Sequence, residues 1–259
     1  MKKTVLITGA TGGLGREFTK RFAAQGNDLV LVGRNPQKLV TLKTDIETAY
    51  TVTATTLAVD FTDERAAEQI YQQVTDQGII VTDLVNNAGL GGQGAFVDRT
   101  LDQDVNMMRV NMLVPTKLMK LFLPDFVKRG SGRVLNVSSS AALIPGPLQA
   151  EYYATKAYVT SLSNAIAYEV KDTGVTVTTL MPGAIETGFA QAGGLTQTKM
   201  FAHGAQPADV AQAGYTAMQA GKLNAFAGLS ALQRPFVGLM PLMPKRAIMG
   251  FVASQQANG

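Results

Sequence analysis

Short apolar runs alternate with longer segments of mixed apolar and polar residues along most of the chain. The runs are rich in Val, Leu and Ile and lack regular polar interruptions, which is typical of strands buried on both faces. Six runs predict strands, at Thr4–Thr8, Leu29–Val32, Thr56–Val59, Leu84–Asn86, Arg133–Val137 and Val175–Leu180. The longer segments predict helices near residues 14–25, 36–49, 63–77, 101–129 and 151–173.

Repeated strand–helix–strand units predict how these elements are arranged. A helix that connects two parallel strands crosses one face of their sheet, so repeated units give a parallel sheet with helices on both faces. No shift of composition and no internal repeat divides residues 1–259, which favours a single α/β domain. Within it, residues 184–206 predict a substrate loop, and residues 229–259 form an apolar C-terminal tail interrupted by prolines.

The composition excludes several kinds of chemistry. The chain has no cysteine, so disulfides, thiolate nucleophiles and zinc–thiolate sites are excluded. Its one histidine, His203, argues against a Ser-His-Asp triad and a histidine-based metal site, so we expect no metal. The net charge is +4 without a basic cluster, which argues against nucleic acid as a partner. Since no apolar stretch reaches the ~18 residues of a membrane span, a cytoplasmic location is expected.

A glycine-rich segment lies between the first predicted strand and the first predicted helix. It reads Thr8-Gly9-Ala10-Thr11-Gly12-Gly13-Leu14-Gly15. Glycines in this place let the backbone turn tightly and approach a pyrophosphate at the helix N-terminus. The alternative is a purely structural turn. The dinucleotide interpretation makes candidate contacts of Gly9, Thr11, Gly12, Gly13, Leu14 and Gly15.

The end of the second predicted strand bears on the choice of dinucleotide. An acidic residue here would bind the ribose of NAD, but the sequence reads Gly33-Arg34-Asn35. An arginine suits a 2′-phosphate because its guanidinium makes two charge-assisted hydrogen bonds. Arg34 therefore favours NADP(H), with NAD(H) and a simple solvated loop charge as the alternatives.

Five motifs occur together in an order and spacing that resemble the short-chain dehydrogenase/reductase family, over roughly residues 3–190. They are Thr8–Gly15, Asn86-Asn87-Ala88-Gly89, Ser139, Tyr152-x-x-x-Lys156 and Pro182-Gly183. The resemblance implies a Rossmann fold, with a doubly wound, mostly parallel sheet of about seven strands in the order 3-2-1-4-5-6-7. It also implies a nicotinamide-dependent enzyme that interconverts alcohols and carbonyl compounds.

The resemblance implies roles for four residues. Tyr152 transfers the proton, Lys156 tunes it and holds the nicotinamide ribose, and Ser139 hydrogen-bonds the substrate carbonyl. Asn111 distorts its helix and holds a water in a relay to the lysine. Tyr152 and Lys156 are four apart on a predicted helix and share a face, and a neighbouring ammonium is expected to lower the pKa of the phenol. Tyr153 also faces Lys156, but the family spacing selects Tyr152.

The resemblance implies further contacts with the cofactor. Asp60 is expected near the adenine amino group, and small residues after the fourth strand are expected against the adenosine half. Residues after the sixth strand are expected near the nicotinamide carboxamide. These two groups are Asn87, Ala88 and Gly89, and Pro182, Gly183 and Thr187.

The match to the family weakens after residue 190. The tail resembles that of the subgroup near the long-chain ketoacyl reductases, which puts the usual tetramer contacts in doubt. Packing between subunits is the favoured role of the tail, followed by cover for a hydrophobic substrate. Peripheral contact with a membrane surface, with Lys245 and Arg246 toward headgroups, ranks last.

Together these features predict an NADP(H)-dependent reductase of a hydrophobic carbonyl substrate that forms a homodimer or homotetramer. A dinucleotide-binding sensor or scaffold without turnover is the main alternative. The complete set of Ser139, Tyr152 and Lys156 counts against it. A sugar dehydratase or epimerase is a third interpretation, disfavoured because such enzymes carry a larger substrate region after the corresponding Pro-Gly pair.

Overall fold

A computed structural model of the chain describes residues 2–195, 198, 204–230 and 233–256, with the side chain of Arg234 excepted. His203 lies outside the described residues. One parallel sheet has seven strands in the order β3-β2-β1-β4-β5-β6-β7, which confirms the predicted fold class and strand order. The strands are β1 Thr4–Thr8, β2 Asp28–Gly33, β3 Ala54–Ala58, β4 Asp83–Asn86, β5 Gly132–Val137, β6 Val175–Pro182 and β7 Asn224–Ala227.

Ten helices connect and flank the strands in the described part of the chain. They are α1 Gly13–Ala23, α2 Pro36–Ala49, α3 Ala66–Asp76, α4 Leu101–Met108, α5 Val114–Arg129, α6 Ala150–Glu169, α7 Gly188–Ala192, α8 Pro207–Gln219, α9 Gln233–Leu239 and α10 Lys245–Gln256. Sequence analysis did not predict α7 to α10. In α8 and α9 a proline lies in the first turn, where its missing N–H breaks no helical hydrogen bond.

The two faces of the sheet build two separate cores, because neighbouring side chains of a strand point to opposite faces. Leu6 and Val30 pack with α3 and α5 on one face. Val5, Ile7 and Leu29 pack with α1, α2 and α8 on the other. Burial on both faces explains why the strands read as continuous apolar runs.

The helix predicted over residues 101–129 is divided in two near Asn111, where the resemblance implied a distortion. A wide, π-type turn at Arg109–Leu113 separates α4 from α5. Pro115 has no N–H to donate to the carbonyl of Asn111 four residues earlier, so the regular helical ladder is interrupted there. The side chain of Asn111 points inward from this turn and is 2% exposed.

Candidate active site

The candidate site lies at the carboxyl ends of the strands, where the order reverses between β1 and β4. This reversal is the usual ligand-binding position in open α/β sheets. A cleft of about 670 Å³ occupies it. Every sequence-predicted catalytic and cofactor residue except Asn111 lines this cleft.

The glycine-rich segment between β1 and α1 forms one end of the cleft. Gly9 has a left-handed φ of +66°, which side chains rarely adopt. A Cβ on Gly15 would stand 2.1 Å from the carbonyl oxygen of Gly9, so the turn closes only with glycine there. Gly12 caps α1 without a side-chain hydrogen bond. The turn from Gly9 to Gly15, here called the glycine cradle, therefore fits a pyrophosphate held by backbone N–H groups.

A cationic pair lies beyond this cradle, at the end of β2. Arg34 and Lys38 are exposed, line the cleft, and stand four residues apart across the start of α2. Sequence analysis missed Lys38, although its spacing from Arg34 was visible. Asp60 also lines this end, where its carboxylate accepts hydrogen bonds from the backbone N–H and hydroxyl of Thr62. This end of the cleft thus carries two exposed cations.

The residues after β4 fasten the cradle to the centre of the sheet. The side-chain amide of Asn87 donates to the carbonyl of Thr8 at 2.9 Å. The backbone N–H groups of Asn87 and Ala88 both donate to the hydroxyl of Thr8 at 3.0 Å. A Cβ on Gly89 would lie 3.6 Å from Nζ of Lys156. These contacts bring the phosphate end and the lysine into one continuous cleft.

Tyr152 and Lys156 lie on α6 and face Ser139, which follows β5. The Tyr152 side chain lies close enough to Ser139 for the serine hydroxyl to lower the pKa of the phenol. Nζ of Lys156 lies 5.7 Å from the centroid of the Tyr152 ring and donates to the carbonyl of Val137 at 2.9 Å. The three side chains predicted to act together are therefore neighbours.

Burial dominates the protonation of this cluster. It raises the pKa of Tyr152 to about 12, although the hydrogen bond from Ser139 works in the opposite direction. It lowers the pKa of Lys156 to about 8. The predicted lowering of the pKa of Tyr152 is thus wrong for the chain without cofactor, because desolvation of the phenolate outweighs the nearby amine.

Asn111 reaches the cluster indirectly. Its side-chain oxygen accepts from the N–H of Leu90 at 2.8 Å, and its amide donates to the carbonyl of Leu90 and the hydroxyl of Thr155. Thr155 precedes Lys156 on α6, so Asn111 ties the segment after β4 to the helix that carries Tyr152. Its predicted part in a water relay stays a prediction.

The rival tyrosine, Tyr153, also lines the cleft, but its hydroxyl is directed toward the C-terminal helix. The Tyr153 side chain is 4% exposed and packs with Ile248 and Val252 of α10. Its hydroxyl accepts a hydrogen bond from the side-chain amide of Gln256 at 3.2 Å. The geometry therefore places Tyr152 beside Ser139 and gives Tyr153 a place under the C-terminal helix.

The opposite end of the cleft begins after β6. Pro182, Gly183 and Thr187 all line it, and the hydroxyl of Thr187 accepts from the N–H of Phe189 to cap α7. Gly183 is held by a hydrogen bond from its N–H to the carbonyl of Ala227 in β7. A wall of apolar side chains continues from there, formed by Ile144, Phe189, Val237, Met240, Phe251 and Val252. Sequence analysis recognised the apolar tail but not which of its residues face the site.

Comparison with known proteins identifies the class that this fold and site define. The family model for short chain dehydrogenases matches residues 3–197, and the chain belongs to this family. A short chain dehydrogenase of Pseudocercospora fijiensis is 36% identical over 187 residues, which cover 71% of this chain and 60% of that protein. The very-long-chain 3-oxoacyl-CoA reductase of Bos taurus is 34% identical over 190 residues, 72% of this chain and 60% of that protein. The chain thus matches about 60% of the length of these relatives.

Two solved structures are similar over nearly the whole chain. A short-chain dehydrogenase from Sphingobium yanoikuyae in complex with NADPH has a TM-score of 0.82 and 27% identity, covering 94% of this chain and 97% of that one. A 7β-hydroxysteroid dehydrogenase has a TM-score of 0.83 and 26% identity, covering 97% of both chains.

The described part of the chain lacks two features, a membrane-spanning helix and a cluster of metal ligands. None of its helices combines the length and apolar character needed to cross a bilayer. No group of three or more His, Cys, Asp or Glu side chains that could hold a metal occurs among the same residues.

Proposed function

We propose that this chain is an NADP(H)-dependent oxidoreductase that interconverts a ketone or aldehyde and an alcohol, working as a reductase of a hydrophobic carbonyl compound. One observation carries the proposal. The side chains of Ser139, Tyr152 and Lys156 line a single cleft that runs from a glycine cradle at one end to an apolar wall at the other. Membership of the short-chain dehydrogenase family supports it.

The protonation of the cluster suits reduction. When bound, NADPH supplies the hydride. With a pKa of about 12, Tyr152 is protonated at neutral pH and can donate to a carbonyl oxygen. Ser139 can donate a second hydrogen bond to the same oxygen as negative charge develops on it. Lys156, with a pKa of about 8, is mostly an ammonium at pH 7 and stabilises the phenolate that Tyr152 leaves behind.

The apolar wall supports a neutral, bulky substrate. Phe189 lies 5.7 Å from the Tyr152 ring, centroid to centroid, so the wall reaches the reacting end of the cleft. Val237, Met240 and Phe251 extend it from the C-terminal helices. A relative named for very-long-chain 3-oxoacyl-CoA and a structural neighbour named for 7β-hydroxysteroids are consistent with a large apolar substrate.

Replacement of Tyr152 tests the proposed reaction. Tyr152→Phe removes the proton donor, so turnover of a bulky ketone with NADPH should fall about 10²–10⁴-fold. The affinity for NADPH, measured by fluorescence titration, should change little. Tyr153→Phe is the matched control and should keep most of the turnover, because that hydroxyl bonds to Gln256. Wild-type turnover in Tyr152→Phe would refute the assignment, and a wild-type protein that binds NADPH but reduces no carbonyl would favour a sensor.

The cofactor preference rests on Arg34 and Lys38. A guanidinium gives a 2′-phosphate two charge-assisted hydrogen bonds, and NADH offers no such group. Arg34→Ala should weaken NADPH binding about 10- to 100-fold while leaving NADH binding nearly unchanged. Arg246→Ala, which removes an exposed cation that does not line the cleft, is the control. Equal loss of both dinucleotides, or wild-type binding of both, would contradict the NADP(H) preference.

A further inference from the structure

The C-terminal part of the chain contains no acidic residue, so its few cations are not balanced there. The last acidic residue is Asp209, and only four of the 23 Lys and Arg residues follow it. The other 19 balance the 19 Asp and Glu residues, so the final 50 residues account for the whole net charge of +4. Two of the four cations, Lys245 and Arg246, are adjacent and exposed.

These two cations lie beside an exposed apolar surface. The turn between α9 and α10, residues 239–246 and here called the tip, presents Leu239, Leu242 and Met243 to solvent. Leu242 is 82% exposed and Leu239 58%. Large apolar side chains gathered this closely on a surface mark an interaction site rather than ordinary surface composition.

The tip is supported by a fixed base. Ile248 and Val252 of α10 are buried against Tyr153. Gln256, at the end of α10, is fully buried and hydrogen-bonded to Gln149 and Tyr153. The exposed side chains of the tip therefore project from helices that are packed onto the body of the protein.

We propose that the tip docks on the surface of a bilayer containing anionic phospholipids. The apolar side chains enter the boundary between headgroups and acyl chains, while Lys245 and Arg246 contact the anionic headgroups, as in other interfacial segments. Val237 and Met240, next to the exposed face, line the cleft, so docking brings the apolar end of the cleft close to the lipid. The docking does not depend on the proposed reaction.

Charge argues against a second copy of the chain as the occupant of this surface. A two-fold contact would place the same patch of both copies face to face. Four cations, Lys245 and Arg246 from each copy, would then share one apolar interface, and the tip has no carboxylate to pair with them. No ion pair joins either cation to an acidic side chain among the described residues. An anionic lipid surface matches both the charge and the apolar character.

Flotation with vesicles tests the proposal on the purified full chain without substrate. Wild-type protein should float with phosphatidylcholine vesicles that contain about one third phosphatidylserine and much less with phosphatidylcholine alone. Lys245→Glu/Arg246→Glu should lower partitioning about 30-fold or more, and Leu242→Ser about tenfold. Lys3→Glu/Lys128→Glu changes the net charge equally at exposed sites elsewhere and should float like wild type.

Each outcome of these measurements either supports or overturns the docking proposal. Circular dichroism shows whether each variant is folded, and neither Leu242 nor the two cations line the cleft. Wild-type protein that stays in solution with anionic vesicles overturns the proposal, as does equal loss in the tip variant and the control. If Leu242→Ser instead lowers the molar mass measured by light scattering and no vesicle is bound, the tip is an interface between copies. Because flotation involves no turnover, failure of the proposed reaction leaves this result unaffected.

Discussion

Lys156 is an amine buried in the body of the protein at 5% exposure. Its pKa is lowered from 10.5 to about 8 by desolvation, so the folded chain holds its ammonium less readily than the unfolded chain does. The resulting destabilisation of the folded chain is greatest below about pH 8, decreases between pH 8 and 10.5, and is absent above pH 10.5. The residue proposed to support the proton transfer thus destabilises the fold at neutral pH, as functional residues often do.

Replacement of Lys156 by methionine tests this cost. The shift corresponds to roughly 3 kcal/mol, from which about 1 kcal/mol is subtracted for the lost hydrogen bond to Val137. Lys156→Met should therefore raise the free energy of unfolding at pH 7 by about 2 kcal/mol while abolishing turnover. In denaturant titrations, this advantage should narrow as the pH rises from 8 toward 10. Lys156→Arg, which stays charged, should be less stable than wild type at pH 7 and at pH 10. A lower free energy of unfolding for Lys156→Met than for wild type at pH 7 would contradict the argument.

At the scale of elements, the C-terminal helix α10 connects several parts of the site. Gln256 in its last turn accepts a hydrogen bond from the side chain of Gln149, the residue just before α6, and donates one to the hydroxyl of Tyr153. Its carbonyl accepts from the side chain of Gln93, which lies in the segment after β4. Phe251 and Val252 of the same helix line the cleft, so these hydrogen bonds position one wall of the proposed substrate end.

Removal of the Gln256 side chain should weaken substrate binding more than it slows the chemical step. Gln256→Ala leaves buried polar partners behind, which should cost about 2 kcal/mol and lower Tm by about 4–8 °C. We expect KM for a bulky ketone to rise about tenfold, with kcat and NADPH affinity within about twofold, because one wall of the cleft is held less firmly. Gln255→Ala, at the neighbouring and less buried position, is the control. A fall in kcat with an unchanged KM would instead place Gln256 in support of Tyr152.

At the scale of the whole molecule, one cleft is built from distant parts of the chain. The glycine cradle follows β1, the cations follow β2, and the wall of the substrate end comes from residues beyond 233. A ligand that spans the cleft contacts all of these elements and stabilises the folded chain by mass action. The expected homodimer or homotetramer stays a prediction.

Thermal unfolding measures this stabilisation. NADPH at about 100 times its Kd should add roughly 2.7 kcal/mol and raise Tm by about 5–10 °C. NADH at the same concentration should raise it by about 1 °C if its Kd is about 100-fold weaker. In Arg34→Ala the two shifts should become similar. A larger shift with NADH in the wild type would reverse the cofactor preference.

Local sequence patterns were sufficient to predict much of the fold. Strands buried on both faces read as apolar runs, and the order and spacing of Ser139, Tyr152 and Lys156 resemble the family closely enough to predict a shared cleft. The break in the helix at Asn111 followed from the resemblance, and Pro115 was its visible physical signal. Helices α9 and α10 were missed because prolines tolerated in or just before a first turn read as interruptions.

What the sequence by itself determined is the fold, the family and the side chains of the candidate reaction, because each leaves a local or periodic signal. Only the tertiary structure decided which tail residues line the cleft, where the hydroxyl of Tyr153 points, and how burial moves the pKa values of Tyr152 and Lys156. Those properties depend on what surrounds a side chain in space. Gln256 meets Gln149 from more than 100 positions away along the chain, and no nearby pattern records that contact.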